Sequence, residues 1–230
     1  MKRNLSFLLF ALLLVLAGCS NKPTTSIDGK TDSSETNQNG TDVDKSQQQN
    51  GNEDANLTDV SLLDYFLPDG STAHYKGVGN EFAELDITVA RPAQDYVVIH
   101  ENNGGAFVQK VYKVNGDEIQ VLQEEHIELD AGIPTTAELE SMSPIRTYLK
   151  GPIEVGTTFD DWKIVEMNAS VETPYQQFED AVVIEQAGKD FVNRIYLVKD
   201  FGEVKRESVM SMEGEEDFVV TSSLETVTQP

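Results

Sequence analysis

The sequence predicts a mainly β domain built as an antiparallel meander. Three observations lead to this class: short runs rich in Val, Ile, Phe and Tyr, turn sequences between them, and very little helical periodicity. We expect one curved sheet, half-barrel or barrel with one or two short helices. The predicted strands are 82–89, 96–99, 107–114, 119–122, 162–165, 178–184, 191–198 and 218–224.

Glycine- and asparagine-rich turns separate these runs. The strongest signal is Asn115-Gly116, because a type I′ hairpin turn requires two positive φ angles. Helical signals are confined to two short segments. Residues 59–66 are long enough for one or two turns, and Thr135 is placed to cap a helix with acidic first-turn residues that Pro144 would end.

An internal similarity recurs at a spacing of about 85 residues. Phe107–Tyr112 matches Phe191–Tyr196, with turns and neighbouring runs in the same order. Because β-sheets draw on few residue types, a chance likeness of two meanders is the alternative. We predict two repeats, at approximately 66–130 and 150–212. Both would contribute to one sheet, because a small meander alone leaves an apolar face uncovered.

The N-terminus has the features of a cleaved export signal. Two basic residues precede an apolar run from Leu5 to Leu16. This run is shorter than the ~20 residues needed to cross a bilayer. It ends in Leu16-Ala17-Gly18-Cys19, which resembles the lipobox of bacterial lipoproteins. The resemblance implies that residues 1–18 are removed and that Cys19 becomes the acylated first residue.

An acylated Cys19 would make the membrane the first partner of this chain. Each buried CH₂ contributes about 0.8 kcal/mol, so two acyl chains hold a protein on a bilayer where one does not. The alternative is a secreted protein in which Cys19 lies near the cleavage point by chance. Cys19 is the only cysteine, which excludes a disulfide within the chain and four-cysteine metal sites.

Residues 20–56 are predicted to form a disordered tether. They contain no aromatic residue and too few apolar side chains to offset the entropy of folding. As a flexible coil the segment would span roughly 35 Å. A segment that folds on a partner is the alternative. The tether resembles those of Gram-positive lipoproteins, which implies a cell-membrane location facing outside the cytoplasm; a Gram-negative periplasmic location stays open.

The remaining residues, 57–230, are long enough for a single β domain, and this domain is strongly acidic. The whole chain has 17 Lys and Arg against 40 Asp and Glu, a net charge of −23. Such a charge argues against binding nucleic acid, whose affinity for proteins comes largely from Lys and Arg. It also opposes attraction to an anionic membrane, so the lipid must provide the attachment.

Two short motifs mark turns and core positions in the second half of the domain. Thr173–Phe178 fits the pattern Thr-Pro-x-Gly-x-Phe except that Gln stands in place of Gly, and Gly202–Glu207 fits Gly-x-Val-x-x-Glu. Together they resemble β-rich bacterial lipoproteins of unassigned role and related secreted domains. The resemblance implies a curved half-barrel similar to lipoprotein carriers, and it transfers no catalytic residue.

No motif for catalysis, a cofactor or a metal is found. The sequence lacks the nucleophile elbow and the phosphate-binding loop, and its three histidines do not have metal-ligand spacing. Candidate ligand-binding residues come instead from the repeat. Lys110 and Tyr112 share a strand face, as do Arg194 and Tyr196, so a cation interrupts an apolar stripe twice. Snorkelling to water is one interpretation; a pair of cations lining a concavity for an acidic or amphipathic ligand is the other.

These features predict a non-enzymatic, lipid-anchored binding module. Its expected partners are an envelope protein, a wall polymer or an apolar ligand, with no cofactor. A carrier or chaperone for lipidic or envelope components is the first alternative, and it requires a sizeable apolar cavity. An envelope hydrolase is the second alternative, against which the missing catalytic motifs count.

Overall fold

The computed structural model describes residues 61–214 and 216–230. The predicted signal peptide, the lipid attachment at Cys19 and the tether all lie outside the described residues. They stay predictions.

Within the described residues, twelve antiparallel strands form one sheet that rolls into a nearly closed barrel, which confirms the mainly β class. Alternating buried and exposed residues along most strands show why the sheet has an apolar inner face. The strands are β1 (Thr72–Val78), β2 (Leu85–Ala93), β3 (Tyr96–Asn102), β4 (Phe107–Asn115), β5 (Glu118–His126), β6 (Arg146–Lys150), β7 (Thr158–Phe159), β8 (Trp162–Glu172), β9 (Gln177–Ala187), β10 (Phe191–Val198), β11 (Gly202–Met210) and β12 (Phe218–Thr228).

Two consecutive meanders build the sheet, β1–β6 and β7–β12. They meet where β1 pairs with β12, and the strand order is β6-β5-β4-β3-β2-β1-β12-β11-β10-β9-β8-β7. This order leaves β6 and β7 as the two edges. At that seam the Thr147 N–H donates to Asp160 Oδ2 at 2.8 Å. The proposed repeats would pair β3 and β4 with β9 and β10, which hold equivalent places in the two meanders; the duplication itself stays a prediction.

The structure has more strands than the eight predicted. The predicted Asn115-Gly116 hairpin is present between β4 and β5, with Gly116 at a φ of 63°. The missed strands are β1, β6, β7 and β11. Polar residues in these strands weaken the alternation of apolar and polar side chains that predicts a strand. In β11, for example, Lys205, Arg206 and Glu207 follow one another. Long-range pairing with β10 and β12 overrides that local signal.

Both predicted helical segments are helical: the first contains a 3₁₀ turn and the second an α-helix. Residues Leu62–Tyr65 form a 3₁₀ turn, and Thr136–Ser141 form the α-helix α1. Thr135 caps α1 through a reciprocal capping box with Glu138, as its position predicts. Leu139 of α1 is fully buried in a small second core on the outer face of the sheet. The other members of that core are Tyr96, Val98, Val111 and Leu122.

The segment before β1, residues 61–68, packs into the main core, and we call it the plug. Tyr65, Phe66 and Leu67 are each buried there. Arg91 holds the plug through its main chain: one guanidinium nitrogen, Nη2, donates to the carbonyl oxygens of residues 63, 66 and 67 at 3.2, 2.9 and 2.8 Å. The carbonyl of residue 63 also accepts from the Phe66 N–H, whereas Arg91 provides the hydrogen bonds to the carbonyls of residues 66 and 67.

Candidate functional site

An aromatic layer lies directly against the plug inside the barrel. The ring of Phe66 is 5.0 Å from that of Tyr112, which is 5.1 Å from the ring of Tyr148, measured between centroids. All three side chains are buried. These distances lie in the range where tilted aromatic pairs stabilise a core. The layer therefore fixes the positions of two tyrosines whose hydroxyls belong to the site described below.

Next to this layer, six charged side chains alternate in sign across the barrel interior, and we call them the charge network. They come from both meanders, and each charged group forms an ion pair with the next one in the order given below. Three cations and three carboxylates make the set formally neutral. In order they are Arg146, Glu124, Lys110, Glu101, Arg206 and Glu203.

Glu101 is the centre of the charge network. Arg206 Nη1 and Nη2 donate to its two carboxylate oxygens at 3.0 and 3.1 Å, a bidentate arrangement. Lys110 Nζ donates to Glu101 Oε2 at 2.9 Å. Glu101 lies on β3 and Arg206 on β11, so this pair joins the two meanders across the interior.

The outer members of the network complete the pairing. Arg146 Nη2 donates to Glu124 Oε2 at 2.6 Å, and Lys110 Nζ lies 3.6 Å from Glu124 Oε1. At the other end Arg206 Nε donates to Glu203. Each charge in the series therefore has an opposite neighbour, which offsets the cost of removing it from water.

The same contacts keep the carboxylates ionised. Burial would raise the pKa of Glu101, but the charges and hydrogen bonds of Arg206 and Lys110 outweigh burial and hold that pKa at about 2. For Glu124, burial is likewise outweighed, by Arg146 and Lys110, and its pKa is lowered. Burial raises the pKa of the Tyr112 hydroxyl, which therefore stays neutral.

Two cavities lie on either side of the charge network. The first is a space of about 30 Å³ against the plug, lined mainly by apolar and aromatic side chains. The second, which we call the large cavity because it is the larger of these two, measures about 390 Å³ and is open to solvent. Both are lined by Lys110, Tyr112, Tyr148, Glu203 and Arg206. Three more open depressions elsewhere on the described residues measure about 560, 650 and 620 Å³.

Several polar groups in the wall of the large cavity are not used by the fold. Within the described residues, the hydroxyls of Tyr112, Tyr148 and Ser208 and the indole N–H of Trp162 have no hydrogen-bond partner in the protein. By contrast, the amide of Asn193 in the same wall is engaged with a neighbouring glutamine. The large cavity thus offers neutral donors and acceptors beside a charge network that is already paired.

The structure separates the two residue pairs that the sequence singled out. Lys110 and Tyr112 lie together in the barrel interior, in the charge network and the aromatic layer. Arg194 borders the large cavity. The next residue, Ile195, stands opposite Arg206 in the register of β10 and β11, so Ile195 shares the inner face of the sheet with Arg206. Side chains alternate along a strand, so Arg194 and Tyr196 project from the other face of the sheet.

On that outer face, both residues have local partners. Arg194 donates to Glu185 at 2.8 Å and to Glu207 at 3.1 Å, the carboxylates on the two adjacent strands. The Lys205 ammonium lies 5.5 Å from the centre of the Tyr196 ring. The predicted concavity with two matched cations is therefore not assembled from Lys110 and Arg194.

Sequence reasoning missed most members of the charge network. The sequence contained a signal for Glu101, because Glu101 follows Val97 and Ile99 at alternate positions of one strand. It interrupts that apolar series in the same way as Lys110 interrupts the series on the next strand. For Arg206 and Glu203 there was none, because their strand was not predicted. Their inward direction follows only from pairing with β10 and β12.

An apolar row is exposed at the ends of three neighbouring strands. Phe191, Met210 and Phe218 stand directly opposite one another in the register of β10, β11 and β12. Each of the three exposes about 40% of its surface. Exposed apolar side chains that form a contiguous group are typical of contact surfaces.

Residues 61–214 and 216–230 contain neither a metal-binding group nor a membrane-spanning helix. There, no three His, Cys, Asp or Glu side chains come together in a group that would hold a metal ion. Likewise, none of the helices in these ranges combines the length and the apolar character that a membrane span needs.

Comparison with family models and with curated proteins gives no match. Two solved structures are similar. One is from Bacteroides fragilis NCTC 9343 and is described as an exported protein with a YmcC-like fold. It is 14% identical to this chain, with a TM-score of 0.47, and the match covers 71% of this chain and 98% of that protein. The other, described as a lipoprotein from Parabacteroides distasonis ATCC 8503, has a TM-score of 0.46, 12% identity and the same coverages of 71% and 98%.

Proposed function

We propose that this chain is an exported, lipid-anchored, non-enzymatic binding protein whose barrel takes a small polar ligand. The observation that carries the proposal is the large cavity, about 390 Å³ in volume, with neutral polar groups that the fold leaves unused. Sites for small molecules are typically concave spaces of about 300–1,000 Å³ with a few convergent polar groups. In this proposal Cys19 carries the lipid and displays the barrel outside the cytoplasm.

The interior favours a polar ligand over an apolar one. The space lined mainly by apolar and aromatic side chains measures only about 30 Å³, room for one or two water molecules rather than an acyl chain. A carrier for lipidic components would need a much larger apolar cavity. A small polar ligand, such as a short fragment of a wall polymer, therefore suits the large cavity better than an acyl chain. An envelope protein would use the exposed apolar row of Phe191, Met210 and Phe218.

The charge network also counts against a hydrolase. A glycosidase or similar enzyme needs a carboxylic acid whose pKa is raised so that it can donate a proton. Here the pKa of Glu101 is held at about 2, and that of Glu124 is also lowered. Both carboxylates are therefore suited to structural pairing rather than to proton transfer.

Ligand binding can be tested with four classes of probe: neutral, anionic and zwitterionic small molecules, and laurate as an apolar one. We expect calorimetry to detect binding of a polar class and none of laurate. Ser208→Phe, which fills the large cavity, should abolish that binding. Ser170→Phe, at an exposed strand position, should leave it unchanged. Binding of laurate alone, or of none of the four classes, would contradict the proposal.

The anchor makes a separate prediction in cells that process lipoproteins. The wild-type chain is expected to incorporate radiolabelled palmitate and to sediment with membranes. Cys19→Ser should lose the label and move to the soluble fraction, because removing two acyl chains removes the main attachment. Equal sedimentation of both proteins, or a mature chain that still carries residues 1–18, would disprove lipid anchoring at Cys19.

A further inference from the structure

We propose that the large cavity binds a neutral, hydroxyl-rich ligand of the mono- or disaccharide class. This inference rests on the proposed function and specifies its ligand. Three features carry it: the internal pairing of the charge network, the chemistry of the groups left unpaired, and the aromatic surface in the cavity wall.

The charge network disfavours a charged ligand. Arg206 already uses all of its donor nitrogens on Glu101 and Glu203, and Lys110 lies between two carboxylates. An anion or a cation would have to displace one of these internal partners and would itself lose its hydration. A neutral ligand makes no such demand, because it leaves the six charges paired with one another.

The unpaired groups match the hydrogen bonding of a sugar. The hydroxyls of Tyr112, Tyr148 and Ser208 each donate and accept, and the Trp162 indole donates. A sugar hydroxyl also does both, so its contacts with the three protein hydroxyls can run in either direction, and it can accept from the indole N–H. The tyrosine rings are buried while their hydroxyls lack a protein partner in the described part of the chain, so these groups are pre-positioned at low entropic cost.

Aromatic side chains supply the complementary apolar surface. Trp162 lines the large cavity from β8, the neighbour of edge strand β7, and Tyr148 lines it from edge strand β6. Ile184 and Ile195 extend this surface. The C–H faces of a pyranose ring pack against such surfaces, while its hydroxyls point to polar groups at the edge. The volume of about 390 Å³ suits a ligand of one or two sugar rings.

The test uses the single Trp of the chain as a reporter. Trp162 lies in the cavity wall, so its fluorescence should respond to an occupant. Glucose, N-acetylglucosamine and maltose would be titrated against glucuronate, glucose 6-phosphate and glycerophosphocholine, with calorimetry in parallel. We expect saturable binding of at least one neutral sugar, with charged probes at least tenfold weaker.

A double variant, Tyr112→Phe with Tyr148→Phe, tests the location. It removes only two hydroxyls that the fold does not use, so we expect unchanged thermal stability and about a tenfold or greater loss of sugar affinity. Tyr196→Phe, on the other face of the sheet, is the matched control and should bind as the wild type does. Sugar binding that survives the double variant would place the site elsewhere and overturn the inference.

The remaining outcomes separate this inference from the proposed function. If only the charged probes bind, and Ser208→Phe abolishes their binding, the saccharide is wrong and the binding function stands. If none of the neutral, anionic or zwitterionic probes binds, both are wrong.

Discussion

Glu101→Gln is expected to destabilise the folded protein by about 3 kcal/mol, because it leaves Arg206 and Lys110 with one carboxylate partner each instead of two. The substitution preserves shape but removes the charge that both Arg206 and Lys110 contact. Only 12% of the Glu101 side chain is exposed, so solvent screens these charges poorly. Urea unfolding at neutral pH, followed by Trp162 fluorescence, measures the loss.

A matched control exists on the outer face of the sheet. Glu185 also accepts a hydrogen bond from an arginine, Arg194, at 2.8 Å, but the Glu185 side chain is 23% exposed against 12% for Glu101. Within the described residues Glu185 pairs with one cation, whereas Glu101 pairs with two. Glu185→Gln should therefore cost about 1 kcal/mol or less. Equal losses of unfolding free energy in Glu101→Gln and Glu185→Gln would contradict a larger contribution from the interior pairing of Glu101.

The second large effect is a loss of stability in acid. The pKa of Glu101 is about 2 in the folded protein against an ordinary value of 4.5. A lowered folded-state pKa stabilises the protein fully above pH 4.5, and this contribution disappears as the pH falls from 4.5 towards 2. The difference in pKa corresponds to a contribution on the order of 3 kcal/mol.

Comparison with Glu101→Gln isolates this contribution from the many other carboxylates of an acidic domain. Protonated Glu101 resembles Gln, so the stability difference between wild type and variant should shrink steadily between pH 4.5 and pH 2. Urea midpoints at pH 6, 4.5, 3 and 2 would follow it. A difference that stays constant over this range would contradict the assignment of a low pKa to Glu101.

The predictable parts of this fold are those set by neighbours in the sequence. The Asn115-Gly116 turn follows from backbone geometry, and the Thr135 cap follows from the side chain three residues later. Lys110 and Arg194 show the limit of such reasoning. Their sequence contexts are nearly the same, yet one side chain lies in the barrel interior and the other on the outer face, because register with distant strands decides the direction.

The candidate site was less predictable than the fold for the same reason. Its centre depends on Arg206 reaching Glu101, a contact between residues 105 positions apart in the chain. No local pattern in β11 distinguishes Arg206 from a solvated basic residue. The aromatic surface of Trp162 and the hydroxyl of Tyr148 likewise come together only when β6 approaches the β7–β8 pair across the seam.

The pairing of β1 with β12 has a consequence for biosynthesis. Thr72 of β1 stands opposite Thr228 of β12. β1 can therefore pair with β12 only after the ribosome has made nearly all of the described chain. Contacts of such high sequence separation form slowly, and the incomplete barrel exposes strand edges meanwhile. A nascent chain of this topology therefore cannot close the pairing of β1 with β12 until β12 has been made.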